Sequence, residues 1–121
     1  MTVPPEDVKP RVEVGHVRPG VVLVSLHGEH DLGQMKRLDT AVASALAGET
    51  RVLVIDLSRT TWIDSTIIRS LVVARNHASA GGVRFSLVLP DGSPCERILE
   101  ITKVLPSLNR GHSRADAGDV G

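Results

Sequence analysis

The sequence has very few aromatic residues and only one cysteine. Trp62 and Phe85 are its only aromatic side chains, and it contains no tyrosine. The core must therefore be built from valine, leucine, isoleucine and alanine, and no row of rings is available to stack the bases of a single-stranded nucleic acid. Cys95 is the only cysteine, which rules out an internal disulfide and gives no support to a zinc site.

Net charge and long apolar runs are also lacking. The chain has 14 lysines and arginines and 14 aspartates and glutamates, so its bulk charge does not favour binding to nucleic acid or to an anionic membrane. No apolar run approaches the roughly 20 residues that span a bilayer. The first ten residues show no basic segment leading into an apolar one, so we expect no signal peptide. We therefore expect a cytoplasmic protein that binds neither nucleic acid nor membrane.

The length and the composition of the two ends predict one domain with unstructured flanks. A chain of 121 residues suits a single compact domain. Its first ten residues are rich in proline and polar side chains, and its last thirteen are small and polar, which favours disorder. We therefore expect a flexible arm over residues 1–10, a folded domain over residues 11–108 and a disordered tail over residues 109–121.

Apolar spacing within this domain alternates between strand and helix periodicity. The predicted strands cover residues 11–17, 21–26, 51–57 and 83–89, with an optional short edge strand over residues 104–108. The predicted helices cover residues 33–47 and 65–78, and a third begins at Ser93-Pro94. The order β-β-α-β-α-β-α, with or without the final strand, predicts an α/β fold: a mixed sheet of four to five strands, largely parallel after an initial hairpin, with helices packed against it.

Asp64-Ser65-Thr66 follows a predicted strand and opens a predicted helix, and two interpretations of it stay open. The first is a helix N-cap, because an aspartate or serine there accepts hydrogen bonds from free amides of the first turn, worth about 1 kcal/mol. The second is a switch, because the same amides and the helix dipole favour added negative charge. A phosphate on Ser65 would add roughly two negative charges beside Asp64 and expel a docked partner.

The segment Gly28-Glu29-His30-Asp31 interrupts the pattern between a strand and a helix. It is interpreted either as a turn glycine followed by an acidic helix start, or as a second loop on the same edge of the sheet as Ser65. The second interpretation follows because the carboxyl ends of neighbouring parallel strands share one face. His30, Asp31 and Asp64 lack the spacing of a specific ligand pattern. We therefore expect no bound metal and no cofactor.

A serine at a strand-to-helix turn also raises the question of nucleophilic catalysis. The hydrolase elbow has the pattern G-x-S-x-G, whereas Ile63 and Ile67 stand at the glycine positions around Ser65. No histidine is a compelling base for this serine, although His30 could lie nearby. We therefore expect that the protein is not an enzyme, and a hydrolase using Ser65 is kept as a further alternative.

Residues 56–66, Asp-Leu-Ser-Arg-Thr-Thr-Trp-Ile-Asp-Ser-Thr, resemble the signature of STAS domains, the anti-sigma factor antagonist family. In that family a strand ending in Asp-Leu-Ser leads through a short loop to an apolar pair and then to Asp-Ser-[Ser/Thr]-Gly. Residues 28–31 match the family's turn before the first helix, and residues 81–101 match its Gly-Gly, strand and helix segment. The resemblance extends over about residues 10–108, which is nearly the whole predicted domain.

The resemblance implies a bacterial partner-switching protein that regulates transcription in a stress response. Members of the family bind an anti-sigma factor that is also a serine kinase, and binding releases a sigma factor. The kinase phosphorylates the first hydroxyl residue after the signature aspartate, here Ser65, and binding is lost until a serine phosphatase restores it. The chain would act as a monomer or weak homodimer. The implied phosphosite and partner surface comprises Gly28, Glu29, His30, Asp31, Trp62, Asp64, Thr66, Ile67 and Arg69 around Ser65.

The chain departs from the family pattern at two positions of this surface. His30 replaces an apolar residue, which would alter the surface or add sensitivity to pH. Ile67 replaces the family glycine, and a branched side chain there would crowd the close approach of a partner's backbone. Ile67 therefore motivates an alternative function, in which the domain is an unphosphorylated STAS scaffold that binds a regulatory protein or a small ligand constitutively.

Overall fold

The structure, a computed structural model, describes residues 10–111 as five strands and three α-helices. In chain order these are β1 (Arg11–Arg18), β2 (Val21–His30), α1 (Leu32–Ala47), β3 (Val52–Ile63), α2 (Ser65–Ala80), β4 (Arg84–Val88), α3 (Pro94–Ile101) and β5 (Arg110–Gly111), with a 3₁₀ helix (Leu105–Leu108) before β5. No helix in this part of the chain is long and apolar enough to cross a membrane.

The five strands form one mixed sheet in the order β1-β2-β3-β4-β5. β1 pairs antiparallel with β2, and each later strand runs parallel to its neighbour. Because parallel neighbours need a crossover, α1, α2 and α3 connect successive strands. The predicted α/β fold, element order and mixed sheet are confirmed.

Apolar side chains fill both faces of the sheet. The larger cluster joins the strands to the helices, which contribute Leu38, Ala41, Val42 and Ala45 from α1 and Ile67, Ile68, Leu71, Ala74 and Ala78 from α2. These residues follow the helical period that the sequence shows, so each helix buries one stripe. A second, smaller cluster contains strand residues only, namely Val21, Leu23, Val52, Val54 and Val88.

Two strands are longer than the sequence analysis predicted, and this corrects the assignment of residues 28–30 to a loop. β2 continues to His30 and β3 to Ile63 because their ends pair with each other, Gly28 opposite Thr60 and His30 opposite Ile63. Gly28 has a φ of +83° beside a shift in register, a conformation that glycine adopts without strain. The buried Thr60 hydroxyl also donates to the carbonyl of Leu26 at 2.8 Å. These contacts join residues distant in sequence, so local patterns do not reveal them.

The C-terminal part of the domain also differs from expectation. The residues expected to form an edge strand are a 3₁₀ helix instead, and the short fifth strand is Arg110–Gly111. Asn109, with a φ of +50°, reverses the chain between them, and its Nδ2 donates to the carbonyl of Phe85 at 2.9 Å. The folded domain therefore extends at least to Gly111. The rest of the predicted tail and residues 1–9 of the predicted arm lie outside the described residues.

Candidate functional site

Asp64 caps helix α2, so the N-cap interpretation is confirmed and assigned to the aspartate. Its Oδ1 accepts hydrogen bonds from the Ile67 amide at 3.0 Å and from the Thr66 hydroxyl at 2.5 Å. Partial burial alone would raise the pKa of Asp64, but these hydrogen bonds, together with the nearby Thr66 and Leu32 amides, lower this pKa overall. Asp64 is therefore a firmly held carboxylate at neutral pH.

Ser65 is the first residue of α2, and its side chain is exposed. Within residues 10–111 its hydroxyl forms no hydrogen bond, because Asp64 already supplies the cap. Arg69 lies four residues later on the same exposed side of the helix, the spacing at which side chains meet on a helix surface. The serine hydroxyl is thus accessible, not needed by the fold, and close to both a helix N-terminus and a cation.

A second capped helix begins beside the first. Asp31 accepts a hydrogen bond from the Gly33 amide at 2.8 Å, and Gln34 Oε1 accepts one from the Asp31 amide at 3.2 Å, which forms a capping box. The Asp64 amide donates to the His30 carbonyl at 3.2 Å and ties the two strand-to-helix junctions together. The structure therefore places both segments on one edge of the sheet, as the interpretation from parallel strands expected.

His30 lies under this edge and is fully buried. Its Nε2 is 2.9 Å from the carbonyl oxygen of His27, and since a carbonyl only accepts, Nε2 carries the proton in the neutral ring. Nδ1 has no hydrogen-bond partner. Burial lowers the pKa of His30, and the carbonyls of His27 and Arg11 oppose that effect only in part. His30 is therefore a buried ring, whereas the Ser65 side chain is exposed.

The predicted partner surface divides into exposed and buried residues. Its exposed members are Glu29, Asp31, Trp62, Ser65 and Arg69, and its half-buried members are Asp64 and Thr66. Gly28, His30 and Ile67 are buried, so their assignment to the surface is wrong. Two of them lie in the extended end of β2, which no local pattern indicated.

Ile67 points into the core. Its side chain is 0% exposed and belongs to the main core cluster, because the third residue of α2 faces the sheet. It therefore cannot crowd a partner's backbone on the outer face. At the position where the family pattern has glycine, this chain therefore has a side chain that belongs to the core.

An apolar groove that no sequence pattern indicated lies between α1 and α2. The groove encloses about 530 Å³ and starts at the N-terminal ends of both helices, next to Ser65. Leu32 and Val73 on its walls are 62% and 40% exposed. Its other apolar lining residues include Met35, Val42 and Leu46, and its polar rim includes Asp39, Arg69 and His77. Leu32 and Val73 could have indicated it, because each is a large apolar residue outside the buried stripe of its helix.

No arrangement for metal binding is found near this edge. Across the described part of the chain, no three histidine, cysteine, aspartate or glutamate side chains are grouped as metal ligands. Cys95, the only cysteine, is buried, and burial raises the pKa of its thiol to about 11. The functional group that this edge exposes is the Ser65 hydroxyl, at the N-terminus of α2 and on the same edge as the N-terminus of α1.

Solved structures of similar shape share this architecture. An anti-sigma factor antagonist from Mycobacterium paratuberculosis is 24% identical with a TM-score of 0.77, over 97% of this chain and 95% of that one. A putative anti-sigma factor antagonist from Thermotoga maritima is 22% identical with a TM-score of 0.75, over 88% and 90%. The anti-sigma factor antagonist SpoIIAA in its unphosphorylated form is 14% identical with a TM-score of 0.70, over 85% and 89%. These likenesses establish the fold.

Family membership rests on the sequence itself. No curated protein sequence is significantly similar to the chain. The profile of the STAS domain, in contrast, matches residues 15–117, a range that includes every helix and both capped junctions described above. The resemblance of the Asp-Leu-Ser and Asp-Ser-Thr segments is thereby confirmed, and the chain belongs to the STAS domain family.

Proposed function

We propose that the protein is an anti-sigma factor antagonist that is switched by phosphorylation of Ser65. The observation that carries the proposal is the position of this serine: exposed, first in its helix, and not needed for the cap. Two structural neighbours, SpoIIAA in its unphosphorylated and phosphorylated forms, are described as an anti-sigma factor antagonist and a cell fate determinant. By analogy, the chain is a kinase substrate in the cytoplasm and not itself an enzyme.

The physical effect of a phosphate on Ser65 differs between the fold and the surface. Within the fold, the N-terminus of α2 favours negative charge by about 0.3–1 kcal/mol, and Arg69 one turn along adds a favourable pair. On the surface, the phosphate joins the carboxylates of Glu29, Asp31 and Asp64. A partner that fits the unmodified edge would meet like charge there. Phosphorylation would then release the partner without unfolding the domain.

The apolar groove gives the partner a place to bind next to the switch. Leu32 and Val73 expose apolar surface on its two walls, and exposed apolar patches mark interaction sites. Thr66 and Arg69 belong both to the groove and to the turn that begins at Ser65. We therefore place the anti-sigma factor along α1 and α2, with the serine at one end of the contact.

The first test is phosphate transfer. The protein is incubated with candidate anti-sigma kinases and ATP, and the phosphate is located by mass spectrometry. Ser65→Ala should abolish incorporation, whereas Thr66→Val, which removes the neighbouring hydroxyl, should retain it. Phosphate found only at other positions, or undiminished in Ser65→Ala, would refute the switch.

The second test is partner affinity. Ser65→Glu should weaken binding of the anti-sigma factor at least tenfold, equivalent to about 1.4 kcal/mol. The matched control is Ser44→Glu. Ser44 is an exposed serine on α1, so this variant adds the same charge at a position away from the switch. Equal affinities of the two variants, measured by calorimetry, would show that charge at position 65 does not control binding.

The alternative of a constitutive, unphosphorylated scaffold loses its motivation. It rested on crowding of a partner by Ile67, and that side chain is buried in the core. The same two tests separate the alternatives, since a constitutive scaffold would bind its partner equally well with serine or glutamate at position 65.

A further inference from the structure

We propose a second binding site, for a small phosphate-bearing anion, at the end of the sheet opposite Ser65. Ser65 follows the carboxyl end of β3, whereas this pocket lies at the amino end of β4, where Arg84 begins the strand. The pocket encloses about 390 Å³. Its lining residues come from the last turns of α2, the following turn and strand, and the segment before β5: Arg75, Ser79, Gly82, Val83, Arg84, Phe85, Ser107 and Asn109.

The lining carries two positive charges and no carboxylate. Neither Arg75 nor Arg84 forms an ion pair with any residue in the range 10–111. Arg75 donates through Nη2 only to the neutral amide oxygen of Asn76, at 2.9 Å. Two arginines that line one pocket without a carboxylate favour an anion there, and planar guanidinium groups match the oxygens of a phosphate well.

Arg75 supplies a second and independent observation. Its Nε is buried and has no hydrogen-bond acceptor. Buried donors are nearly always paired in folded proteins, so this one calls for an acceptor such as an ordered water or a bound ion. An oxyanion in the pocket would provide the acceptor that the protein itself does not.

The neutral lining residues are arranged to leave room for such a ligand. Ser107 donates to the Val104 carbonyl at 2.8 Å and Asn109 Nδ2 to the Phe85 carbonyl at 2.9 Å, so both form fixed walls. Ser79 is exposed and its hydroxyl remains available. The space next to Gly82 is open, since a Cβ added there would meet no atom within 4 Å.

The C-terminal end of α2 is the one feature that opposes an anion here. A helix C-terminus carries about half a negative charge. The carbonyls of His77, Ala78 and Ser79 nevertheless already accept hydrogen bonds from the amides of residues 81–83. Two full guanidinium charges outweigh the remaining partial charge, so the net preference is for an anion.

The test uses inorganic phosphate and pyrophosphate as probes in a titration followed by nuclear magnetic resonance at constant ionic strength. Saturable shifts are expected at the Arg75 Nε–H and at the amides of Gly82 and Arg84, at millimolar concentrations. Arg75→Gln and Arg84→Gln should each lose this saturable response. Arg97→Gln is the matched control, because Arg97 is exposed on α3 and does not line the pocket.

Three outcomes would overturn the site: no saturable shift in the wild type, an equal response to chloride, or an undiminished response in both glutamine variants. Arg84 is exposed, so Arg84→Gln remains informative even if Arg75→Gln fails to fold. The result is independent of the proposed switch, since neither probe nor variant involves Ser65.

Discussion

Two adjacent residues at the start of α2 have separate roles, since Asp64 caps the helix and Ser65 is the proposed switch. Asp64 holds the first turn through its bonds to Ile67 and Thr66, whereas the Ser65 hydroxyl forms no hydrogen bond in residues 10–111. A chemical change at the serine can therefore be large without cost to the helix. Loss of the Asp64 carboxylate, in contrast, would remove a helix cap worth about 1 kcal/mol.

His30 should make stability depend on pH. Because burial lowers the pKa of His30 in the folded state below its ordinary value of 6.5, protonation favours the unfolded chain. The contribution of neutral His30 to stability is therefore fully present above pH 6.5, its ordinary pKa. It is lost as the pH falls from there through the lower pKa that His30 has in the folded state. Urea unfolding at pH 7.5 and 5.5 should show that the wild type loses more stability between these pH values than His30→Leu does.

The control for this experiment is His16→Gln, because His16 is an exposed histidine on β1. This variant retains His30 and should therefore keep the loss of stability that His30→Leu removes. The pKa of His27 is lowered as well, by burial and by Arg11, and His27 is present in all three proteins. Equal losses in wild type and His30→Leu would contradict the prediction.

At the scale of the element, the first turn of α2 is anchored inwards by Ile67. Replacing this fully buried side chain by valine should cost about 0.5–1.5 kcal/mol, and replacing it by glycine about 3–6 kcal/mol, since glycine adds a helix penalty to the cavity. Chemical denaturation of both variants measures these losses. A glycine variant as stable as the wild type would show that the turn does not depend on this anchor.

Strand β5 is only two residues long and depends on one arginine. Arg110 donates through Nε to the Leu89 carbonyl at 3.0 Å, and its Nη2 contacts both Asp91 at 3.1 Å and Glu96. Along the backbone, β5 pairs with β4 at just two positions, Leu87 with Arg110 and Val88 with Gly111. The Leu87 amide donates to the Asn109 carbonyl and the Leu89 amide to the Gly111 carbonyl. Such a short ladder opens easily unless side chains hold it.

Arg110→Ala should therefore speed hydrogen exchange at the Leu87 and Leu89 amides. A loss of about 1 kcal/mol in local opening free energy is expected from these contacts. Amides of β3 should be unaffected, and Arg97→Ala on α3 serves as the control for loss of a surface arginine. Unchanged exchange at Leu87 and Leu89 would mean that β5 is held by its backbone alone.

At the scale of the whole molecule, periodicity in the sequence was enough to predict the α/β order, the three helices and the shared edge of the two junctions. It could not predict the extra length of β2 and β3, because that depends on pairing between residues about 33 apart, such as His30 with Ile63. The inward direction of Ile67 and the apolar groove also depend on how α1 and α2 pack. The two strand-to-helix junctions were therefore placed on one edge from the sequence, while their outer and inner residues were not distinguished.

The chain has zero net charge, but its two ends differ in local charge. The end that carries Ser65 exposes Glu29 and Asp31, whereas the opposite end presents Arg75 and Arg84 around a pocket without carboxylates. Neither property appears in the composition, because opposite charges cancel in the sum. Charge at the switch and charge at the second pocket can accordingly be altered independently.

The single tryptophan allows partner binding to be followed by intrinsic fluorescence. Trp62 is 44% exposed, at the end of β3 two residues before Asp64, and the chain has no tyrosine to contribute emission. Docking of a partner on this edge should shift the fluorescence to shorter wavelength and shield it from iodide quenching, since the indole leaves water. Ser65→Glu should show a smaller shift at matched partner concentration, as its weaker binding requires. Association can therefore be followed in the unlabelled protein, with a partner that contributes no tryptophan of its own.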